Sequence, residues 1–386
     1  MTEKIRHRDL SPRSFENSSW LPGTAGNPFD TILTAGSAIS QIPGFAFFII
    51  LALLASLVAW TNPIKAALML AFMLTDWLLI ALLSKTQRSY GPVKPVVLVL
   101  ALLRSLFGLL PLWPALILQG IGTLLVLIGF YFEPQHLDVH HETLTTNKLS
   151  SGHSLKVVHL GDLHIERLTR REQRILQVLQ EEKPDLILFS GDVLNLSYVQ
   201  EETAQNEARN FLSKLHAPLG VFGVTGSPPV DPPEVFAKTI AGTPMHWLNN
   251  QSVTLQLETD TLQITGLTCT HLPERDLATL QTFYSPDLAA LSILLYHSPD
   301  FAPLAASQSF DLQLSGHTHG GQVRLPVYGA LYAASLYGKL FESGRYLLKE
   351  MTLYVSRGLG MEGGIAPRVR LFCRPELIVW QITGTR

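Results

Sequence analysis

"SLKVVHLGDLHIERLTRREQRILQVLQEEKPDLILFSGD", residues 154–192, decides how the second half of this chain folds. It opens on an apolar strand that runs into polar residues. Then "RREQRILQVLQEEK" (170–183) is charged overall but carries Ile175, Leu176, Val178 and Leu179 as one helical stripe. Pro184 stops that helix, and "DLILFSGD" (185–192) begins a second buried strand. Together these segments predict a βαβ unit, and such units deliver polar side chains at strand ends, where α/β folds place their sites.

Downstream, helices are expected at about 201–216 and 233–241, with the short strand "PLGVFG" between them. "SVTLQLETDTLQITGL" alternates Val253, Leu255 and Leu257 with Leu262 and Ile264 across a polar turn, which predicts an antiparallel hairpin. Further strands are expected at 290–297, 310–317, 352–357 and 375–382. Strands that run first parallel and then antiparallel, with helices between, point to two packed sheets with helices outside. Residues 133–149 read as a short linker entering the first strand.

Upstream the chain changes character. Of 386 residues, 47% are hydrophobic and 16% charged, and the apolar excess lies between about 43 and 132. There "IPGFAFFIILALLASLVAW" (42–60), "PIKAALMLAFMLTDWLLIALL" (63–83), "VKPVVLVLALLRSLFGLL" (93–110) and "ALILQGIGTLLVLIGFYF" (115–132) each approach the roughly 20 apolar residues that span a bilayer core. A single such run is often a buried soluble helix; four in succession predict a bundle of four transmembrane helices. About 40 mostly polar residues precede them, the wrong order for a signal peptide. The expected division is a polar tail (1–40), a transmembrane domain (41–132) and a soluble domain (133–386).

Lys4, Arg6, Arg8 and Arg13 before the first span, and Lys85, Arg88 and Lys94 between the second and third, place both basic flanks in the cytoplasm. An even span count then returns residues 133–386 to the cytoplasmic face. Trp60, Trp113, Tyr90 and Tyr131 fall where an interfacial aromatic belt would lie. Asp76 and Arg104 are charges inside spans, expected to face the bundle in a structural role, either as a pair or with the arginine snorkelling, rather than as a transport site. Cys269 and Cys373 form no disulfide framework. A formal net charge of −2 gives no footprint for nucleic acid.

The chemistry gathers at the predicted strand ends. Asp162 and His164 are two apart, so in extended chain they face one side. Asp192 follows Gly191, whose missing side chain would let an ion approach the backbone. His297 ends another strand, and "GHTHGG" carries His317 and His319 between glycines. Any one of these alone is ordinarily a turn residue or a satisfied polar group. Two carboxylates and four histidines without cysteine suit Mn, Fe or Zn, and six ligands exceed what one tetrahedral zinc needs. A carboxylate such as Asp192 can bridge two ions about 3.5–4 Å apart.

"GDLH", "SGDV", "LLYHSPD" and "GHTHGGQVRLPVYG", in that order, resemble the metal-binding blocks of the calcineurin-like metallophosphoesterases, over about residues 135–386. "SRGLG" and "RPEL" resemble the closing blocks of its membrane-attached bacterial branch, which includes phosphodiesterases and UDP-2,3-diacylglucosamine pyrophosphatases. The resemblance implies a four-layer α/β/β/α sandwich and two divalent transition-metal ions. It implies that Asp162, His164 and His319 bind the first ion, that Asp192 bridges, and that His297 and His317 bind the second.

One block departs from the family. Where it has Gly-Asn-His-Asp/Glu, with the Asn on the second metal and the His near the phosphate, this chain has Gly226-Ser227-Pro228-Pro229. His246 and Asp231 lie nearby in sequence, with no geometric reason to appoint either. Two functions follow. The first is a membrane-integral phosphoesterase of the bacterial inner membrane that hydrolyses a phosphodiester or pyrophosphate, on a lipid-linked substrate such as a UDP-acylated sugar, by metal-activated hydroxide. The second is a catalytically silent relative acting as a membrane-bound binding or regulatory protein. A transporter with an attached domain ranks below both.

Overall fold

Two sheets face each other across a shared apolar core in the computed structural model, which describes residues 6–7, 12–13, 28–86 and 91–386. The first sheet has six strands, in the order Asp138–Thr146, Glu376–Gly384, Ser154–Leu160, Leu186–Phe189, Val221–Gly223, Met245–Trp247. The last four run parallel, as the βαβ reading requires, and Glu376–Gly384 lies antiparallel to Ser154–Leu160. The second sheet has seven strands: Arg6–His7, Gly344–Leu348, Met351–Val355, Leu312–Ser315, Leu291–Leu295, Asp260–Gly266 and Gln251–Leu257. Its edge is the expected antiparallel hairpin, Gln251–Leu257 with Asp260–Gly266.

Period-2 burial explains the layers. Val157, Leu186, Leu188, Ile378 and Trp380 from one sheet meet Ile264, Ile293, Leu312, Leu314 and Tyr354 from the other. Alternate residues, Val158, Leu160, Ile187 and Phe189, turn outward onto Ile175, Val178 and Leu179 of helix Arg170–Glu182 and Ala208 and Phe211 of helix Glu202–Leu212. On the far side Leu294, Tyr296 and Leu353 pack on Leu280, Phe301 and Phe341. The mixed α/β fold therefore has helices on the outer faces of both sheets. Helix Arg170–Glu182 begins with a capping box, Thr169 with Glu172, and its C-cap Lys183 sits at φ 48° just before Pro184.

The linker reading of residues 133–149 is corrected. Asp138–Thr146 is a nine-residue strand paired in parallel with Glu376–Gly384. As an edge strand it keeps most of its residues partly or fully exposed, so its His and Glu positions carry no buried pattern to read.

The described residues divide into two compact units: 6–7, 12–13, 135–361 and 372–386, and 28–86, 91–134 and 362–371. The second unit is helical, with helices Pro28–Gln41, Gly44–Val58, Pro63–Leu82, Val93–Gly108 and Leu112–Leu127. Helix Pro28–Gln41 falls inside the stretch expected as a polar tail. Residues 362–371 join this unit through the Arg370 amide, which donates to the Gly129 carbonyl at 2.9 Å, and through Val369, which fills the space over Gly129. Among the described residues two helices, 63–85 and 112–135, are long and apolar enough to cross a membrane, or three if the pair 35–41 and 44–58, bent by 109°, counts as one span. Val93–Gly108 has 16 residues, a rise of roughly 24 Å against a hydrocarbon core of about 30 Å. Lys4, Arg8, Arg88 and Tyr90, used above for orientation and the aromatic belt, lie outside the described residues.

Inside the helical unit Asp76 and Arg104 do pair. Arg104 Nε and Nη2 donate to Asp76 Oδ2 and Oδ1 at 2.5 and 2.6 Å, while Nη1 donates to Gln119 Oε1 at 2.8 Å and Nη2 to Thr123 Oγ1 at 2.9 Å. Both charges are buried, and the fork of the guanidinium is filled, so the pair fixes helix register. Asp76→Ala is predicted to strand the buried guanidinium and cost about 3–5 kcal/mol, read as a lower thermal midpoint in detergent. The double change Asp76→Leu with Arg104→Met should recover most of that loss, because no charge is left unpaired.

Candidate metal centre

The strand Ser154–Leu160 stops pairing at Leu160, and the next four residues build the first side of the site. Asp162 and His164 have φ of 49° and 45°, so the extended-chain argument for their shared direction is corrected. They converge because the backbone coils there. The Asp162 and His164 amides donate to the Gly191 and Asp192 carbonyls at 2.8 and 3.1 Å, which zips this loop to the one following Leu186–Phe189. Left-handed backbone at non-glycine residues is costly and clusters at functional sites. Asp192 (φ 60°), His317 (70°) and His319 (51°) share it.

Gly191 plays another part than the one expected of it. A Cβ on Gly191 would fall 2.5 Å from the Gly226 Cα, so its bare backbone makes room for the neighbouring loop, not for an ion. Gly226 in turn leaves room for Asp192: a Cβ there would sit 1.9 Å from Oδ1.

Asp162, His164, Asp192 and His319 are all buried, and one ligand atom from each lies within 4.8 Å of the others. His164 Nε2 faces His319 Nε2 at 3.0 Å and Asp192 Oδ2 at 3.4 Å, and His319 Nε2 lies 3.8 Å from Asp162 Oδ1. Among the described residues Asp162 Oδ2 and His164 Nδ1 are buried without a hydrogen-bond partner. Two imidazoles nose to nose beside two buried carboxylates fit a divalent cation of the Mn, Fe or Zn kind, whose donors these are.

A second imidazole, His297, meets the same carboxylate oxygen of Asp192. Its Nε2 is 3.3 Å from Asp192 Oδ2, and its Nδ1–H donates to the Ser190 carbonyl at 2.9 Å, which fixes the ring. The His317 ring lies 5.1 Å from that of His297, centroid to centroid, and the His317 amide donates to Asp162 Oδ1 at 2.9 Å. Asp162, His164 and His319 thus cluster with Asp192, His297 meets its Oδ2, and His317 packs beside His297.

Charge follows this packing. Burial resists a charge on Asp192, yet His297, by charge and hydrogen bond, and then His164 outweigh it and hold the carboxyl well below its ordinary range. Burial also resists a charge on His297, and Asp192 overcomes it, lifting the imidazolium to about 9. Burial pushes Asp162 up to about 6 despite the pull of His297. Burial and then the neighbouring His271 and His297 keep His317 well below its usual value.

The Ser227-Pro228-Pro229 loop enters this site by its first residue alone. Ser227 is buried, with its amide donating to Asp192 Oδ1 at 2.7 Å, whereas both prolines are exposed. Asp231, left without a role by sequence reasoning, is the clasp: its carboxylate accepts from the amides of Asp192, Val193 and Gly226 at 2.7, 3.1 and 2.9 Å. Burial and the nearby Asp192 charge push its carboxyl up to about 7. His246 is exposed on Met245–Trp247 and stacks on Phe222, away from the cluster. One residue was missed. His271, in "TCTHLPE" after the strand Asp260–Gly266, turns its Nε2 to Ser227 Oγ at 3.1 Å. Its position past a strand end was the available signal.

Residues 155–230 match the calcineurin-like phosphoesterase family. The chain is 30% identical over 263 residues to the metallophosphoesterase YkuE of Bacillus subtilis, covering 66% of this chain and 88% of that protein. It is 27% identical to the UDP-2,3-diacylglucosamine pyrophosphatase LpxG of Chlamydia muridarum (60% and 84% covered) and 26% identical to the phosphodiesterase YaeI of Escherichia coli (65% and 90%). With the mixed α/β fold and the cluster around Asp192, these matches place the chain in the calcineurin-like metallophosphoesterase family.

Proposed function

We propose that this chain is a membrane-anchored two-metal phosphoesterase that hydrolyses a phosphodiester or pyrophosphate bond of a lipid-linked substrate such as a UDP-acylated sugar. The observation that carries the reading is the place of Asp192, whose Oδ2 meets two imidazoles, His164 Nε2 at 3.4 Å and His297 Nε2 at 3.3 Å. Asp162, His164 and His319 would hold one cation, His297 and His317 the other, and Asp192 both. Bound divalent cations of this kind act as Lewis acids and make a nucleophile of water near neutral pH.

The chain's own residues set what it can cleave. Neither exposed proline can hand a proton to a departing group, and a missing general acid ordinarily removes about 10²–10⁴ in rate. Leaving groups that depart as stable anions, such as a nucleotide or a phosphate ester, tolerate that loss. This favours pyrophosphates and activated diesters, in line with the substrate named for the chlamydial relative.

Membrane attachment rests on the helical unit. Phe45, Leu53, Leu57, Ile64, Leu106 and Ile117 are exposed on it, a surface that water disfavours and lipid accepts. Four spans with both basic flanks inside would set the phosphoesterase domain on the cytoplasmic face of the bacterial inner membrane. Exposed Trp60 and Trp113 suit the opposite interface.

Purified full-length protein, stripped of metal and reloaded with Mn or Zn, is predicted to hydrolyse bis(p-nitrophenyl) phosphate or a UDP-linked pyrophosphate in a metal-dependent way. Asp192→Ala should lower kcat/KM by at least about 10³, since both cation sites lose a ligand. Wild type no faster than Asp192→Ala on every phosphoester class would favour the catalytically silent alternative.

A further inference from the structure

The vacancy left by the family's asparagine is faced by a side chain from a different loop. Ser227 stands at that position, and its hydroxyl lies between two imidazoles: His297 Nε2 at 3.2 Å and His271 Nε2 at 3.1 Å. The His271 ring is 4.6 Å from His317 and 6.3 Å from His297, centroid to centroid. Three imidazoles therefore ring the side of Asp192 where the second cation is assigned.

His271 is held there by construction. Its backbone is left-handed, φ 60°. One residue before it, the Thr270 amide and hydroxyl donate to Asp276 Oδ2 and Oδ1 at 2.9 and 2.6 Å, and the buried Tyr296 hydroxyl donates to Asp276 Oδ2 at 2.5 Å. The Thr268 amide donates to Asn250 Oδ1 at 2.8 Å. On the ring itself Nδ1 meets Cys269 Sγ at 3.7 Å, so Nε2 is the nitrogen presented to the cluster. Occupying one ring nitrogen fixes which of the two is offered to a metal.

We propose that His271 is a ligand of the second cation, taking the place of the absent asparagine carbonyl, so that the set there is Asp192, His297, His317 and His271. The proposal rests on the two-metal reading above. It replaces a neutral oxygen donor by nitrogen, and three imidazoles with one carboxylate favour Fe, Co, Ni or Zn over Mg or Ca. Both Nε2 lone pairs would then go to the ion, so the Ser227 Oγ contacts to His271 and His297 would give way on binding, and Ser227 need not be a ligand.

The test is metal stoichiometry on the full-length protein in detergent, stripped with chelator and titrated with Co²⁺, followed by visible absorption and by metal content after gel filtration. Wild type should take up two Co²⁺ per chain. His271→Ala should keep one tightly bound ion, which also reports that the protein is folded, and weaken the second by roughly 10–100-fold or more. His271→Asn, which restores an amide, should recover part of that affinity, and Ser227→Ala should leave two ions bound. Two ions in His271→Ala, with wild-type affinity and an unchanged spectrum, would overturn the role of His271 and leave the two-metal reading intact. Fewer than two in wild type would overturn the two-metal reading and His271's role with it.

Discussion

A single carboxylate, Asp192, organises the phosphoesterase domain. A buried charge of this kind is unstable unless opposite charge and hydrogen bonds surround it, and the neighbouring loops are arranged to supply both. The Ser227 amide donates to Oδ1, and His164 and His297 flank Oδ2. Asp231 holds the Asp192 and Gly226 amides together, so the loop bearing Ser227 cannot drift from the carboxylate. Gly226 is required because any side chain there would occupy the space of Oδ1. The left-handed backbones at Asp162, His164, Asp192, His317 and His319 are tolerated because sheet ends and inter-loop hydrogen bonds fix them.

The same logic recurs in the helical unit with opposite sign. There a buried guanidinium, Arg104, is the charge that needs company, and Asp76, Gln119 and Thr123 provide it from two neighbouring helices. In an apolar surround such a filled fork specifies one arrangement of helices, since any rotation would leave donors unmatched. Both units thus depend on a polar centre satisfied in one geometry only.

Much of this was legible in the sequence because each clue was local. The βαβ unit announced itself through a helical stripe ended by Pro184 between two apolar runs. Asp162, Asp192, His297 and His319 stood at strand ends, and the Asp76–Arg104 pair followed from the cost of lone charges in apolar helices. What escaped was long-range or depended on backbone shape. His271 lies 44 residues from Ser227, its nearest polar partner at the site, and no glycine or second histidine flanks it. The turn of Asp162 and His164 could not be read from an alternation rule, because the strand has already ended. Asp138–Thr146 was hidden by the exposure of an edge strand, and Gly191's role by a loop that only folding brings near.

The claim that Asp192 serves two cations is tested most directly by anomalous diffraction from crystals of the full-length protein loaded with Mn. The account predicts two peaks about 3.5–4 Å apart, both in contact with Asp192. One should lie beside Asp162, His164 and His319, and the other beside His297 and His317. A single peak, or two peaks of which one has no contact with Asp192, would contradict it.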